Sequence, residues 1–271
     1  MSLSLLEKEA GIKVGQFSIF PKDALDHAIS TRFGGVSQAP FDKMNLAMHN
    51  GDDKKAVLEN RSRFCKAFSI TSATICTCEQ VHSSNIRQVT AADAGRGATS
   101  YEDAIKETDA LITNVKNVPL MLFFADCTPV LFFDPEHQAI GISHAGWKGT
   151  VHKIAQKTVQ AMQAAFQTDP KKCLVGIGPS IGPCCYEVGS EVQLQFRKAF
   201  PNDANTIIRP FQQKWKLDLW AANRIQLEEV GILAENIDMA DTCTACNSDV
   251  FFSYRADQGK TGRIAAMLCL K

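Results

Sequence analysis

The feature that most constrains this sequence is a crowded series of short apolar runs in its middle. Four runs, at 110–113, 119–125, 130–133 and 139–143, are each bounded by Asp, Asn, Pro or Gly. Their length and composition are typical of β-strands. Strands so close along a chain favour antiparallel pairing through tight turns, and residues 134–138 predict a hairpin loop between the last two.

Helical periodicity begins where these strands end. Apolar residues recur at helical spacing from Thr150 to Phe166, which predicts an amphipathic helix directly after the turn at 146–149. Two further helices are predicted, one over about 54–68 and one between Asp218, a suitable N-cap, and a stop at Gly231.

The order of these elements indicates the fold class. Further strands are predicted at 174–177 and 264–269, interspersed with the helices but without regular βαβ alternation. We therefore predict a mixed α/β or α+β layered architecture. Neither an internal repeat nor a Pro/Gly/Ser-rich linker divides the 271 residues, so a single catalytic domain, 1–271, is expected.

The charge balance limits the kinds of partner. Lys and Arg total 29, as do Asp and Glu, so the protein lacks the net positive field that binds nucleic acids or anionic membranes. The longest apolar stretch, 118–125, is far shorter than the roughly 20 residues that span a bilayer. Because the N-terminus shows no secretory signal pattern, a cytoplasmic protein that acts on a small substrate is expected, as a monomer or a homodimer.

Several common catalytic motifs fail on inspection. The glycines of 176–182 do not have the G-x-G-x-x-G spacing, and Gly259-Lys260-Thr261 follows Tyr254 where a P-loop requires glycine. The chain contains neither G-x-S-x-G nor H-E-x-x-H, which removes the commonest hydrolase and metalloprotease interpretations.

Ten cysteines in a cytosolic chain of this length are expected to remain thiols. Cys243 and Cys246 form a C-x-x-C, which would suit half of a zinc site or a redox pair. Since no second C-x-x-C or H-x3-H accompanies it, a structural role is favoured. Cys184 and Cys185 are adjacent and need not be ligands.

Three other residues suggest a catalytic metal. His82, Cys127 and His144 lie in polar contexts, and the last two follow predicted strands whose ends can meet. Three nitrogen and sulfur ligands leave a fourth tetrahedral position open, as in catalytic zinc sites, where bound water reaches a pKa of about 7. Two alternatives stay open: a buried thiol with two structural histidines, or a Cys127-His144 nucleophilic pair.

The chain resembles the YfiH-like family, long labelled "laccase domain" or polyphenol oxidase and later recognised as purine nucleoside phosphorylases. The resemblance covers nearly the whole chain and includes these motifs: Ser30-Thr31-Arg32-Phe33-Gly34-Gly35-Val36-Ser37, Asn45-Leu46, Gly51-Asp52-Asp53, Asn60-Arg61, Gln80-Val81-His82, Thr108-Asp109-Ala110, Ala125-Asp126-Cys127, His144-Ala145-Gly146-Trp147-Lys148-Gly149, Gly178-Pro179-Ser180-Ile181 and Thr261-Gly262-Arg263. The resemblance implies a YfiH-like layered sandwich with mixed and antiparallel sheets, and zinc at His82, Cys127 and His144. It also implies phosphorolysis of adenosine, inosine and methylthioadenosine, with adenosine deamination as a second activity.

Two positions depart from the family pattern. Ser83 stands where the family usually has glycine, and Ala47-Met48-His49 replaces a common Gly-x-His. Neither departure replaces a proposed ligand. Copper could occupy the same site, whereas six histidines are too few for a multicopper centre. The alternative functions are therefore a Cys-His hydrolase or deamidase that uses Cys127 and His144, and a single-copper, laccase-like polyphenol oxidase.

Phosphorolysis requires groups that neutralise phosphate and stabilise the leaving purine. Arg61, which the resemblance places near the metal, is expected to be catalytic together with Cys127 and His144. Arg32 and Lys148 are expected to bind the anion, and Asn45 a polar edge of the substrate, although each also suits a structural or solvated role. Asp126 adjoins a ligand, but alternate side chains of an extended chain face opposite ways, so it is expected to act behind the ligands.

Overall fold

Two large β-sheets form the centre of the computed structural model, which describes residues 3–271. Strands and helices are numbered here in chain order. The first sheet has five strands, all paired antiparallel, in the spatial order β1 (Leu3–Glu7), β2 (Lys13–Phe17), β3 (Leu25–Ser30), β14 (Ile264–Leu270) and β6 (Leu120–Phe124).

The second sheet has six strands. Their spatial order is β13 (Ile237–Met239), β9 (Leu174–Ile177), β7 (Thr128–Asp134), β8 (Ala139–Ala145), β5 (Ala110–Thr113) and β4 (Ile86–Gln88). The two outer pairs are parallel, and the inner pairs are antiparallel. Asp134 pairs with Ala139 across the predicted hairpin loop.

All four crowded apolar runs are strands, but they do not form one meander. β6 belongs to the first sheet, while β5, β7 and β8 belong to the second. The chain therefore crosses between the sheets at residues 125–127. This crossing is important for the site because it carries Cys127.

The two sheets pack face to face, and helices cover their outer surfaces. Leu122 of β6 and Leu131 of β7 belong to the core between the sheets. Met121, the neighbour of Leu122, faces the opposite way and packs with Phe64 of α1 (Lys54–Lys66). Two helices, α3 (Ile154–Phe166) and α6 (Leu219–Glu229), cover the far face of the second sheet. The predicted layered mixed architecture is confirmed.

A third, smaller sheet, which was not predicted, lies beside these layers. Its antiparallel strands are β10 (Glu187–Val188), β12 (Lys214–Leu217) and β11 (Ile208–Phe211), and its cluster includes residues of α2 (Trp147–Val151), α4 (Ser190–Ala199) and α5 (Ala204–Ile207). Short strands with polar, half-exposed residues lack the apolar runs that made the central strands recognisable.

The helix predicted from Thr150 is wrong in its start and its continuity. α2 begins already at Trp147, and the chain breaks at Lys153, whose φ is 60°. Val151 packs with the small-sheet cluster, whereas Ile154 packs against the second large sheet. The spacing of apolar residues predicts that both side chains lie on one helical stripe. It does not show that they pack against different sheets.

The other two helices agree with their predicted limits. α1 begins after Asp53, which caps it by accepting the Lys55 N–H, and α6 begins after Asp218, which accepts the Ala221 N–H. Between residues 3 and 271, no helix has both the length and the apolar character needed to cross a membrane.

Candidate metal centre and active site

His82, Cys127 and His144 meet at one end of the central layers. Cys127 directly precedes β7, and His144 is on β8, where it pairs with Pro129. His82 lies in a turn before β4, with a φ of 61°. Their ligand atoms all lie within 4.8 Å of one another, and the Cys127 Sγ is 3.8 Å from His82 Nε2. Residues 62 positions apart along the chain thus form one cluster.

Asp109, which the sequence analysis did not single out as a site residue, organises two of these ligands. Its buried carboxylate accepts the His144 Nδ1–H at 2.8 Å and the His82 backbone N–H at 3.0 Å. It also accepts the N–H groups of Val81 and Ser83 and the Ser83 hydroxyl. A carboxylate on Nδ1 leaves Nε2 of His144 free as the ligand atom, as it does in many metal sites.

Gly146 supplies the space in which the ligands meet. A Cβ at this position would lie 2.9 Å from Cys127 Sγ and 3.0 Å from His82 Cδ2. Any side chain would therefore displace a ligand. This requirement accounts physically for the glycine in the motif His144-Ala145-Gly146.

The local charges favour a thiolate. Burial alone would raise the pKa of the Cys127 thiol, but His144 and His82 outweigh it and lower the pKa to about 6. Burial opposes the charged form of His144 as well, yet Cys127 and Asp109 raise its pKa. Burial likewise acts to raise the pKa of Asp109, but the hydrogen bonds from His144 and Ser83 lower it.

This donor set fits a transition metal. A thiolate and two imidazole nitrogens, one of them oriented by a carboxylate, are ligands that zinc prefers, and copper also accepts them. With three protein ligands a tetrahedral metal keeps one position for substrate or water.

A cavity of about 490 Å³ opens above the cluster, a size typical of small-molecule sites. Its walls include the rings of Phe123, Trp147, Tyr186 and Tyr254 and one acidic residue, Asp126. The lining residues are His49, Gln80, His82, Phe123, Ala125, Asp126, Cys127, His144, Trp147, Ile181, Tyr186, Leu219, Tyr254, Arg255 and Arg263. Such a wall suits a flat heterocyclic ring.

Two arginines supply the positive charge of the cavity. Arg255 donates to the backbone oxygens of Cys185 and Glu187, at 3.4 and 3.1 Å. Arg263 donates to those of Thr261 and Gly262 through one guanidinium nitrogen. These carbonyls are neutral, so both guanidinium charges remain available to an anion.

Arg61, expected to be catalytic, is placed behind the cavity wall. It is 2% exposed and donates to the backbone oxygens of Leu46, Gly97 and Ala98. Its guanidinium stands 4.9 Å from the centre of the Phe123 ring. Through Phe123 it contacts the cavity but, among the described residues, it is not part of the lining.

The other expected substrate-binding residues also lie outside the lining. Arg32 donates to the backbone oxygens of Asp42 and Ser248 and so joins two loops. Lys148 is exposed on α2. Asn45 is buried and its side-chain oxygen accepts the Arg263 backbone N–H at 2.9 Å, so it contacts a cavity residue from behind.

Asp126 lines the cavity, but its carboxylate is bonded to residues outside the ligand cluster. Its carboxylate accepts the Thr244 hydroxyl at 2.6 Å and the Arg255 backbone N–H at 2.7 Å. Of the residues that sequence reasoning missed, Asp109 and Arg263 lay in the recognised motifs Thr108-Asp109-Ala110 and Thr261-Gly262-Arg263. Arg255 had no sequence signal.

Comparison with known proteins extends this description. A family model described as multi-copper polyphenol oxidoreductase laccase matches residues 26–271. The purine nucleoside phosphorylase YlmD of Geobacillus stearothermophilus is 38% identical over 241 residues, which cover 89% of this chain and 88% of the relative. YlmD of Bacillus subtilis, also named a purine nucleoside phosphorylase, is 37% identical over 243 residues, 89% of this chain and 87% of that protein.

A solved structure agrees over the whole fold. The crystal structure of Bacillus licheniformis hypothetical protein YfiH superposes with a TM-score of 0.92 at 32% identity, covering 98% of this chain and 99% of that one. Together with the matched sequence model, these similarities show that the chain belongs to the YfiH/YlmD family, which carries the laccase-domain description.

Proposed function

We propose that this protein is a zinc-dependent purine nucleoside phosphorylase. The observation that carries the proposal is the presence, in one cavity, of the His82-Cys127-His144 cluster, an aromatic wall and two arginines. Relatives named purine nucleoside phosphorylases support the reaction class. The substrates are then a purine nucleoside and inorganic phosphate.

The residues of the cavity have complementary tasks. Phe123, Tyr186 and Tyr254 offer ring surfaces against which a purine can stack. Arg255 and Arg263 can neutralise and orient phosphate, because guanidinium groups match its geometry with paired hydrogen bonds. Zinc, when bound by the three ligands, supplies a Lewis acid that stabilises negative charge on an oxygen.

The reaction exchanges one bond at the anomeric carbon for another. A phosphate oxygen forms a bond to C1′ of the ribose while the C1′–N9 bond breaks and its electron pair goes to the purine. The phosphate proton ends on the departing base, so the products are ribose 1-phosphate and a free purine. Fixed arginines favour this step by holding the nucleophile beside C1′ and by excluding bulk water.

Adenosine, inosine and methylthioadenosine are the proposed nucleosides, because all three present a purine and a ribose. Adenosine deamination is proposed as a second activity of the same site. It requires a carboxylate that moves protons near C6. Asp126 is the acidic member of the described lining. Because its oxygens also accept from the Thr244 hydroxyl and the Arg255 backbone N–H, Asp126→Asn should reduce both activities, and it should reduce ammonia release more than phosphorolysis.

The decisive test is product analysis by chromatography with and without phosphate. Phosphate-dependent release of base with equimolar ribose 1-phosphate is expected. Arg263→Met should lower kcat/KM for phosphate by about 10- to 100-fold, as expected for the loss of a charged hydrogen bond. Arg224→Met, on the exposed face of α6, is the matched control. Base release that is independent of phosphate would contradict the proposal.

The same assay tests the expected roles of Lys148, Arg32, Asn45 and Arg61. Lys148→Met tests whether this exposed lysine binds phosphate, and Arg32→Met and Asn45→Ala test positioning from behind the cavity. We propose that Arg61 acts on the site by holding Phe123. Arg61→Met should then change KM for the nucleoside more than KM for phosphate.

A second candidate function is favoured by one observation. Asp109, His144 and Cys127 form a chain of acid, imidazole and thiol in the order that cysteine hydrolases use. A hydrolase needs Cys127 free, whereas the phosphorylase proposal needs it bound to metal. Stoichiometric zinc that protects Cys127 from iodoacetamide would exclude the hydrolase, and a metal-free, rapidly alkylated, active protein would exclude the metalloenzyme.

A further inference from the structure

Four cysteines outside the cavity lie together on two loops. Cys184 and Cys185 belong to the loop before β10, and Cys243 and Cys246 follow β13. Their sulfur atoms all lie within 4.8 Å of one another. Cys246 Sγ is 3.5 Å from Cys184 Sγ and 3.4 Å from Cys185 Sγ. All four cysteines are free thiols.

We propose that Cys184, Cys185, Cys243 and Cys246 form a second metal site, a closed structural zinc held by four thiolates. Four sulfurs around zinc at about 2.3 Å are separated from one another by about 3.8 Å. The two distances from Cys246 Sγ lie 0.3 to 0.4 Å below this value, and every sulfur pair lies within 4.8 Å, so small side-chain rotations suffice to close the site. Four protein ligands leave no open position, which distinguishes it from the His82-Cys127-His144 cluster.

The backbone holds the two loops in the register that this site needs. Ser180 pairs with Cys243 as a parallel bridge, and the Thr244 N–H donates to the Ser180 oxygen at 3.0 Å. The Gly182 N–H donates to Cys243 Sγ at 3.2 Å. Hydrogen bonds from backbone N–H groups to sulfur stabilise thiolates and orient metal ligands.

Gly182 permits this close approach. A Cβ there would lie 2.7 Å from the Trp220 ring and 3.2 Å from Cys243 Cβ. The loop that carries Cys184 and Cys185 can therefore approach Cys243 this closely only because residue 182 has no side chain.

The charges around the cluster also suit a metal with thiolate ligands. Zinc with four thiolates carries a net charge of about −2. Lys216 Nζ donates to the Cys184 backbone oxygen at 3.0 Å, and Arg255 donates to that of Cys185. Two cations thus contact the backbone of the Cys184-Cys185 pair. Cys184 and Cys246 are exposed, which gives a metal ion a path to the site.

The arrangement is less suitable for a disulfide. Cys184 and Cys185 are almost equally far from Cys246, whereas a disulfide joins one pair at about 2.05 Å and excludes the third thiol. A closed metal site uses all four sulfurs at once.

The proposed site would hold part of the cavity wall in place. Ile181 and Tyr186 flank the cysteine pair along the chain, and all three of Ile181, Tyr186 and Arg255 line the cavity. Zinc would tie this wall to the Cys243 loop. The inference does not depend on phosphorolysis, because zinc binding and ligand identity are measurable without any substrate.

The first test is metal analysis of the full chain purified under reducing conditions after zinc loading. About two equivalents of zinc per chain are expected, one for each cluster. Cys184→Ser with Cys246→Ser should remove one equivalent, and Cys127→Ser should remove the other. Cys269→Ser, in a buried strand away from both clusters, is the matched control and should retain both. Zinc X-ray absorption of the Cys127→Ser protein should show sulfur ligands alone, at about 2.3 Å.

A second measurement uses the wild-type chain and does not depend on the folding of variants. Iodoacetamide should label Cys184 and Cys246 rapidly after zinc is removed with a chelator, and several-fold more slowly when zinc is restored. Equal labelling with and without zinc, together with a single equivalent of metal, would overturn the proposal. A Cys184-Cys246 or Cys185-Cys246 disulfide in the reduced, zinc-loaded protein would also overturn it.

Discussion

Replacing Asp109 by asparagine is the sharpest test of how the His82-Cys127-His144 cluster is built. The substitution preserves shape but removes the charge and one acceptor oxygen. Oδ1 accepts from His82 N and His144 Nδ1, while Oδ2 accepts from Val81 N, Ser83 N and Ser83 Oγ. Whichever oxygen the amide nitrogen replaces, at least two buried or partly buried donors lose their acceptor.

The size of the effect follows from these contacts. Loss of the carboxylate partner of a ligating histidine lowers metal affinity by about 10- to 100-fold, which corresponds to about 1.4 to 2.7 kcal/mol of binding free energy. Two donors without acceptors should also lower the free energy of unfolding of the metal-free protein by about 2 to 6 kcal/mol.

The assay is a competition titration of zinc against a chromophoric chelator, with urea unfolding of the metal-free protein alongside. Ser83→Ala is the matched control, because it removes one of the donors to Asp109 and should cost about 1 kcal/mol of stability. If Asp109→Asn loses stability but binds zinc as wild type does, Asp109 anchors the loop without orienting His144, and the reasoning is refuted.

Three further predictions concern single positions. Gly146→Ala should reduce zinc content without removing a ligand, since its Cβ would lie 2.9 Å from Cys127 Sγ; full zinc occupancy would contradict it. Burial and, to a smaller extent, Lys22 lower the pKa of His27 from 6.5 to about 4. Because this folded-state pKa lies below the unfolded one, the stabilisation is complete above pH 6.5 and decreases by about 3.4 kcal/mol in total as pH falls through 4, and His27→Gln should lose that dependence in urea titrations. Arg61→Met should lower the unfolding free energy by about 3 kcal/mol or more, because three backbone carbonyls lose a buried donor; an unchanged urea midpoint would contradict it.

Much of the central fold could be predicted because its signals are local. Apolar runs bounded by turn residues predict β5 to β8, and Asp53 and Asp218 are recognisable helix starts. The membership of β6 in the first sheet could not be predicted in this way, because its partner, β14, lies about 140 residues further along the chain.

The candidate site shows the same division between local and distant signals. Cys127 and His144 could be brought together by reasoning on strand ends, since β7 and β8 are neighbours in sequence and in space. The role of Asp109 could not be predicted without knowing that the turn at 81–83 contacts the residue that precedes β5. The burial of Arg61 depended on carbonyl groups from residues 46, 97 and 98, and no side-chain pattern marks a backbone acceptor.

The cysteines illustrate the limit most clearly. C-x-x-C at Cys243 has no second motif of its kind, so sequence spacing favours a structural interpretation. The structure adds Cys184 and Cys185, which are about 60 residues away, through the bridge between Ser180 and Cys243. A ligand set divided between two distant loops has no regular spacing that a sequence motif could describe. The interpretation of residues 1–271 as a single domain stays a prediction.

The number of clustered histidines determines whether this chain can carry out the copper chemistry that the laccase-domain description names. Multicopper oxidases hold several coppers largely with imidazoles, yet within residues 3–271 the two clustered ligand groups contain only two histidines. His27 instead accepts the Phe17 N–H, and His137 bonds Asp134. Copper(II) should displace zinc from His82, Cys127 and His144, since it binds such ligands more tightly.

Copper-loaded protein should nevertheless fail to couple phenol oxidation to the full reduction of oxygen to water. That reaction needs four electrons, and a single copper transfers one at a time. Oxygen uptake and peroxide should be measured on protein with one copper per chain, with Cys127→Ser as the metal-site control. Sustained oxygen uptake without peroxide, lost in Cys127→Ser, would show that one His-Cys-His site suffices and would contradict the argument from donor count.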